Sequence, residues 1–319
     1  MTPLDARNVV PPRNDKQASQ GQLTIPPFTF TPMRHALRYI GHRLYTTWAT
    51  FWFAMPFVVT YPVQWALSRR PAWHRHLHSL NRGWSRFFIW MWGVPVEVVY
   101  KNPLPASQPC VYVANHSSYI DIPLLFKAIP GWLNIMGKHS LAKVPMWGPI
   151  FGRAYITVDR DSPMSRGRAV VQARRTLEAG RSVVIFPEGS ISAKPGEQMG
   201  EFKDGAFQLA ISAGVPLVPI TMPLNHRFMP DVGGLRVRYS PLSITLHEPI
   251  QTTGLTAADA PALRQRAHDI IASGFRPEAH GIPPPGSWRR LVTVSVPEPL
   301  AARQQAETRQ ESELASSNS

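Results

Sequence analysis

The sequence contains little cysteine, few acidic residues and no internal repeat. Its 319 residues include a single cysteine, Cys110, which excludes an internal disulfide framework and a zinc site built from several cysteines. Only 20 acidic residues stand against 34 lysines and arginines, so the formal charge is +14. Such a chain favours anionic partners, namely nucleic acid, phosphorylated substrates or anionic lipid headgroups. Hydrophobic residues make up 44%, which excludes disorder throughout and supplies the core of one large or two ordinary domains.

Acidic residues are almost absent from residues 33–100, which carry eight arginines and one acid, Glu97. Within this range, residues 44–67 hold no charged residue and are rich in tryptophan and tyrosine. A nucleic-acid-binding protein does not surround an uncharged aromatic segment with its basic residues, whereas a membrane surface fits this pattern. A helix of this length reaches ~36 Å, compared with ~30 Å of hydrocarbon in a bilayer. Pro56 and Pro62 are expected to interrupt that helix.

A second apolar patch follows at residues 87–94. We therefore expect two helices over residues 33–94 that lie in one leaflet, with arginine and tryptophan at the headgroup level. The alternatives are one true membrane span and a helix buried in a soluble protein. Arginines flank residues 44–67 on both sides, which counts against a span because the charge bias that orients a spanning helix is missing.

From Pro95 onward, short β-rich runs alternate with helical patterns. This alternation predicts an α/β domain over residues 95–280, with a mostly parallel sheet flanked by helices. Residues 1–32 are polar and proline-rich, so we expect no cleavable signal peptide there, and we expect disorder over 1–32 and over the tail 281–319. Strands are predicted at 96–100, 111–114, 134–136, 154–158, 182–186, 215–222, 235–239 and 243–247, and helices at 119–129, 140–150, 163–180, 203–213 and 256–274.

A histidine and an aspartate follow the predicted strand at 111–114. His116 can accept a proton from a hydroxyl near neutral pH, and Asp121 can fix its tautomer. The two side chains, five residues apart, meet only if His116 lies on the loop and Asp121 in the first helical turn, with Asn115 or Ser117 as the cap. No good nucleophile is present, since Cys110 begins an apolar strand, and this favours direct attack by a substrate hydroxyl.

Two further loops carry residues suited to an anionic ligand. Gly189, in Phe-Pro-Glu-Gly-Ser after the predicted strand at 182–186, lets main-chain N–H groups approach the ligand, and Glu188 can orient neighbouring donors. Arg160 follows the strand predicted at 154–158, and Lys203 lies in Glu-Phe-Lys-Asp-Gly. Either cation can hold a phosphate.

Other polar clusters receive simpler interpretations. His74, His76 and His78 alternate with other residues and have no carboxylate or cysteine nearby, so we predict interfacial residues rather than a metal site. We expect no metal and no cofactor. Four arginines on the helix predicted at 163–180 are interpreted as a solvated or lipid-facing basic face; they are Arg166, Arg168, Arg174 and Arg175.

Four blocks of this sequence, in order, resemble those of the 1-acyl-sn-glycerol-3-phosphate acyltransferases. NHSSYID matches their N-H-x4-D block, GRAYITVDR their second block, FPEGSIS their F-P-E-G-T-R-S block, and VPLVPI their V-P-[IV]-[IV]-P-[VI] block. These blocks span residues 115–220, and the likeness extends over 33–275. A single H-x4-D is common by chance, whereas the ordered set is specific.

The resemblance implies a fold and an activity. It implies an α/β domain carried on a two-helix membrane element. Since no organellar address is evident, we expect this element at the cytoplasmic face of a bacterial inner membrane. The donor is acyl-coenzyme A or acyl carrier protein as co-substrate, the acceptor is a lysophospholipid, and the other partners are membrane lipids rather than nucleic acid. The implied catalytic residues are His116 as general base and Asp121 as its partner. The resemblance associates Arg160 with the acceptor phosphate and Glu188 and Gly189 with acceptor binding. We predict Asn115 and Lys203 as further acceptor-binding residues.

One residue departs from the family pattern. The third block of the family carries an arginine where this chain has Ile191, and isoleucine cannot make a charge-assisted hydrogen bond to phosphate. Lys194 or Lys203 is a candidate substitute. Alternatively, the acceptor is another single-chain lipid, such as a lyso-ornithine lipid. The rival classes are an acyl thioesterase, which needs no membrane segment or phosphate ligands, and a non-catalytic membrane scaffold, which needs no histidine–aspartate pair.

Overall fold

The computed structural model describes residues 31–105, 108–192, 199–231, 236–275 and 294–295. The chain divides into two compact units, Met1–Ile40 and Gly41–Ser319. The disorder predicted for 1–32 and 281–319 falls almost wholly outside the described residues. At their margins, residues 31–32 belong to a helix and residues 294–295 form a short strand.

Two helices precede the sheet. Helix α1 (Thr31–Ser68) and helix α2 (His74–Met91) are joined by a short 3-10 helix, Pro71–Trp73. None of the helices in the described part of the chain is long and apolar enough to cross a membrane.

The expected interruption of α1 is wrong, because the helix continues through both Pro56 and Pro62. Aromatic packing against α2 offsets the main-chain hydrogen bonds that the prolines cannot make. The Trp84 ring centroid lies 4.8 Å from that of Phe53 and 5.8 Å from that of Phe57.

In the described part of the chain, the central sheet has eight strands in the order β4-β3-β5-β2-β6-β7-β1-β8. All neighbouring strands are parallel except β6 and β7. The predicted α/β class with a mostly parallel sheet is therefore confirmed. The strands are β1 (Val96–Tyr100), β2 (Val111–Ala114), β3 (Leu133–Lys138), β4 (Ile156–Val158), β5 (Ser182–Ile185), β6 (Leu217–Thr221), β7 (Leu242–Leu246) and β8 (Val294–Ser295).

One predicted strand is wrong. Residues 236–239 form no regular element, because their main chain bonds elsewhere. Arg238 N donates to Phe228 O at 2.8 Å, and Val237 O accepts from the Thr46 hydroxyl at 3.0 Å.

The remaining helices lie between the strands. The predicted helix at 140–150 is divided into a 3-10 helix, His139–Lys143, and α4, because Pro145 disfavours helical geometry at the residue before it. Helix α4 also takes up Ala154, which was predicted to begin a strand. The helices are α3 (Asp121–Ala128), α4 (Trp147–Ala154), α5 (Pro163–Glu178), α6 (Gly205–Ala213), α7 (Asn225–Phe228) and α8 (Ala260–Ser273), with a third 3-10 helix at Ala257–Asp259.

The core has two layers, one on each face of the sheet. Alternate residues of β2 belong to different apolar clusters, Tyr112 and Ala114 to one and Val111 and Val113 to the other, as the two-residue period of a strand requires. The first cluster contains residues of α2 and α3, and the second contains residues of α5, α6 and α8. Because β2, β5 and β6 are parallel, the loops after them meet at one edge of the sheet.

Candidate active site

His116 and Asp121 form a hydrogen-bonded pair at this edge. His116 lies on the loop after β2, and Asp121 is the first residue of α3. The distance between His116 Nδ1 and Asp121 Oδ2 is 2.9 Å; the carboxylate is fully buried, while 15% of the histidine side chain is exposed. Because the carboxylate is an acceptor, the proton of the neutral ring lies on Nδ1, and Nε2 carries a lone pair.

The loop itself fixes the carboxylate. Asp121 Oδ2 also accepts the main-chain N–H groups of Ser117 at 2.8 Å and Ser118 at 2.9 Å. The expectation that Asn115 or Ser117 caps α3 is wrong, since no side chain caps this helix. The main-chain N–H groups of the loop instead donate to the Asp121 carboxylate and hold the carboxylate in one orientation toward His116.

A buried asparagine that the sequence did not indicate completes the carboxylate's hydrogen bonds. Asn225, fully buried at the start of α7, donates from Nδ2 to Asp121 Oδ1 at 2.8 Å. It lies 104 residues from the aspartate in the chain, and no local spacing connects the two. The two residues come together because β2, which precedes Asp121, pairs with β6, which precedes Asn225.

Replacing Asn225 by leucine is expected to lower kcat by about 10-fold with little change in KM. The substitution leaves Oδ1 of a buried carboxylate without a donor, which costs ~1–3 kcal/mol and loosens the orientation of His116. Asn134→Leu is the control, because Asn134 is also buried but belongs to β3. Steady-state kinetics on both variants measure the effect, and an equal fall in the two would contradict a positioning role for Asn225.

Glu188 connects three segments of the site. Its Oε1 accepts the N–H of His116 at 2.8 Å, and its Oε2 accepts the N–H of Gly200 at 2.6 Å. Burial raises the pKa of the Glu188 carboxyl above its usual range, although both N–H donors favour the charged form. The ring of Phe186 stacks on His116 at a centroid distance of 4.1 Å. Both contacts hold the histidine loop in place.

Asn115 is placed away from any ligand-accessible surface. Its side-chain amide donates to Met222 O at 3.1 Å, and its Oδ1 accepts Met222 N at 2.7 Å. The residue is 2% exposed. Both polar groups are thus engaged by the main chain after β6, and this placement does not favour the predicted acceptor contact.

Arg160 and Lys203 meet at Gly189. A methyl group built on Gly189 would lie 3.3 Å from Nζ of Lys203 and 3.7 Å from Nε of Arg160. Partial burial lowers the pKa of Arg160 from its usual value. Within the described ranges, neither cation has a carboxylate at ion-pair distance. The structure therefore brings three predicted site residues together, whereas Lys194 lies outside the described residues.

A cavity of about 530 Å³ opens beside these cations. Arg160, Lys203 and Gly189 line its polar end, together with Phe186, the residue on which His116 stacks. Its walls are otherwise largely apolar; they include Val158, Ala169, Ile185, Ala206 and Leu209. The arrangement suits a ligand with an anionic group and an apolar chain.

Gly189→Ala is expected to raise KM for an anionic acceptor several-fold and to cost ~1 kcal/mol of stability. Gly189 has φ of +81°, a left-handed conformation that L side chains adopt at a cost, and the added methyl group crowds Lys203. Gly254→Ala is the control, since Gly254 has φ of +83° with no atom near its added methyl group. Thermal unfolding and steady-state kinetics separate the two effects; a similar KM in both variants would contradict the crowding.

The other candidate groups serve the scaffold. His74 and His78 bond to main-chain carbonyl groups at 3.1 and 2.9 Å, and burial lowers the pKa of His78 to about 4. Among the residues that the structure describes, no group of three or more metal-ligating side chains is placed to hold an ion. Burial raises the pKa of the Cys110 thiol to about 11, which makes it a poor nucleophile.

The chain is similar to known acyltransferases. A family model described as Acyltransferase matches residues 95–223. A 1-acyl-sn-glycerol-3-phosphate acyltransferase of Chlamydomonas reinhardtii is 29% identical over 241 residues, covering 75% of this chain and 70% of the relative. The alpha form from Homo sapiens is 34% identical over 200 residues, covering 59% and 66%. A chloroplastic one from Brassica napus is 33% identical over 175 residues, covering 54% and 50%. The chain thus spans about half to two thirds of the length of most of these relatives.

A solved structure shares the fold. It is the crystal structure of the 1-acyl-sn-glycerophosphate acyltransferase PlsC from Thermotoga maritima, with a TM-score of 0.62 and 21% identity over 76% of this chain and 98% of that chain. In sequence, the α/β domain of this chain is similar to the Acyltransferase family and to 1-acyl-sn-glycerol-3-phosphate acyltransferases.

Proposed function

We propose that this enzyme transfers a fatty acyl group from a thioester to the free hydroxyl of 1-acyl-sn-glycerol-3-phosphate, which gives phosphatidic acid. The donor is acyl-coenzyme A or acyl carrier protein. The observation that carries the proposal is the buried Asp121 carboxylate bonded to Nδ1 of a partly exposed His116. The names of the relatives support the acceptor.

The pair supports direct transfer to a hydroxyl. Nε2 of His116 accepts the hydroxyl proton while the hydroxyl oxygen attacks the thioester carbonyl carbon. The carbon–sulfur bond then breaks, and the leaving thiolate takes the proton from Nε2. Asp121 holds the ring and stabilises the imidazolium between the two steps. No covalent intermediate on the protein is needed.

The cavity supports a phosphate-bearing acceptor. Arg160 and Lys203 converge at Gly189 without a carboxylate partner in the described part of the chain, and two like charges side by side are relieved by a bound anion. The apolar wall beyond them suits an acyl chain.

The helices before the sheet support attachment to one membrane leaflet. The described part of α1 and α2 exposes many large apolar side chains, as on a surface that enters lipid. At the end of α1, Arg69 lies over the Trp65 ring at 4.4 Å, a pairing suited to the headgroup level. We propose monotopic attachment at the cytoplasmic face of a bacterial inner membrane. The exposed residues include Leu44, Trp48, Phe51, Val58, Val59, Val63, Trp65, Phe87 and Trp90.

An acceptor panel tests this proposal. Purified protein is given labelled oleoyl-coenzyme A with lysophosphatidate, lysophosphatidylglycerol or a lyso-ornithine lipid in neutral detergent micelles. We expect kcat/KM to be highest for lysophosphatidate. A protein that ignores lysophosphatidate and acylates one of the other lipids would contradict the proposed acceptor while leaving the His116 chemistry in place.

A further inference from the structure

Arg166 is a third cation at the cavity. It lies in the first turns of α5 and lines the cavity together with Arg160 and Lys203. The sequence grouped it with the other arginines of α5 as a solvated or lipid-facing basic residue. Its placement separates it from Arg168, Arg174 and Arg175, which do not line this cavity.

A hydrogen bond directs the Arg166 side chain toward the site. Its Nη1 donates to the main-chain oxygen of Arg160 at 2.7 Å. A guanidinium has five N–H donors in a planar fork, so this bond fixes the group and leaves other donors for a ligand. In the described ranges, Arg166 has no carboxylate at ion-pair distance, and no acid is among the residues that line the cavity.

The charge of the site matches a phosphate monoester. Such a group carries about −1.5 to −2 charges at pH 7. Three cations line the cavity, namely Arg160, Arg166 and Lys203. Ile191, two residues after Gly189, supplies no charge. Arg166 of α5 lines the same cavity and can supply a cation there.

We propose that Arg166 is a third ligand of the acceptor phosphate and that it selects phosphate monoesters over single-chain lipids without one. This inference rests on the proposed function, because it assigns a further residue to the same acceptor site. The pairing of Arg160 with Lys203 does not involve α5. The proposal assigns the choice between acceptor lipids to a residue of that helix.

Arg166→Gln tests the proposal. We expect KM for lysophosphatidate to rise on the order of 10-fold or more, the usual effect of losing a charge-assisted hydrogen bond, with kcat nearly kept. Arg166→Lys should give a KM between those of the wild-type protein and Arg166→Gln, since lysine retains the charge but lacks the planar guanidinium fork. Arg168→Gln is the control, because Arg168 is exposed on the same helix and bonds only to the Met164 sulfur in the described structure.

A double-mutant comparison separates direct binding from an effect through Arg160. If Arg166 binds the phosphate itself, Arg166→Gln should raise KM again in an Arg160→Gln background. If it acts only by holding the Arg160 main chain, the second substitution should change nothing further, and the proposal would be overturned.

The outcomes distinguish this inference from the proposed function. Wild-type protein that does not acylate lysophosphatidate contradicts both. Wild-type protein that does so, with Arg166→Gln equal to Arg168→Gln, contradicts only the role of Arg166. A rise in KM confined to Arg166→Gln, and largest for lysophosphatidate in the acceptor panel, is the expected result.

Discussion

His116→Ala is expected to lower kcat for acyl transfer by ~10²–10⁴-fold or more, the effect of removing a general base. Nε2 of this histidine is the proposed proton acceptor, and its ring orientation is already fixed by Asp121 and Phe186. KM for the acceptor should change little, since the cations proposed to hold its phosphate, Arg160 and Lys203, are other residues. Initial rates with labelled acyl-coenzyme A measure the loss.

His76→Ala is the matched control, because His76 is an exposed histidine on α2 whose described partner is Arg75. It should retain wild-type turnover. Circular dichroism and thermal unfolding establish that both variants are folded. Near-normal turnover by a folded His116→Ala protein would remove this histidine from the mechanism.

Polar substitution of an apolar stripe on α1 is expected to reduce binding to vesicles by ~10²-fold. Leu44, Phe51 and Val58 are seven residues apart, so they lie on one side of the helix, and they are 67%, 53% and 53% exposed. Full burial of one such side chain contributes ~1.5–3 kcal/mol, so partial insertion of three contributes ~3 kcal/mol. Flotation with vesicles containing anionic lipid, on the triple glutamine variant, measures the change.

The control carries polar substitutions on another helix. Met164 and Val171 of α5 are 66% and 51% exposed, and their glutamine variant should still bind the vesicles. High salt should release little wild-type protein, because apolar insertion persists when charges are screened. Clean release by salt alone, or an unaffected triple variant, would contradict insertion of this face.

Much of the fold could be predicted from the sequence because its strands are short apolar runs separated by turns. The alternation of strands and helices gave the correct class, and β1 and β2 were predicted with their observed limits. The wrong predictions of secondary structure arose where tertiary contacts, rather than the local sequence pattern, determine the conformation. Residues 236–239 alternate like a strand, but their main chain bonds to Thr46 and Phe228.

The histidine–aspartate pair was predictable because its residues are close in sequence. His116 and Asp121 lie within one loop and one helical turn, so their spacing carried the information. Asn225 reaches Asp121 from a helix 104 residues away in the chain, and no spacing rule identifies it. Arg166 is only six residues from Arg160, but its helical pattern does not indicate the cavity that it lines. Asn115 is next to His116 in the sequence, but its side-chain amide bonds to the main chain of Met222, so its contact with the acceptor stays a prediction.

The most direct measurement follows thiol release and phosphatidate formation together, with wild-type protein, acyl-coenzyme A and lysophosphatidate in neutral micelles. The account predicts one thiol released for each phosphatidate formed, very little release without the lipid acceptor, and loss of both in His116→Ala. Thiol release that continues at the same rate without lysophosphatidate would mean that water is the acceptor, and would contradict acyl transfer to a lipid hydroxyl.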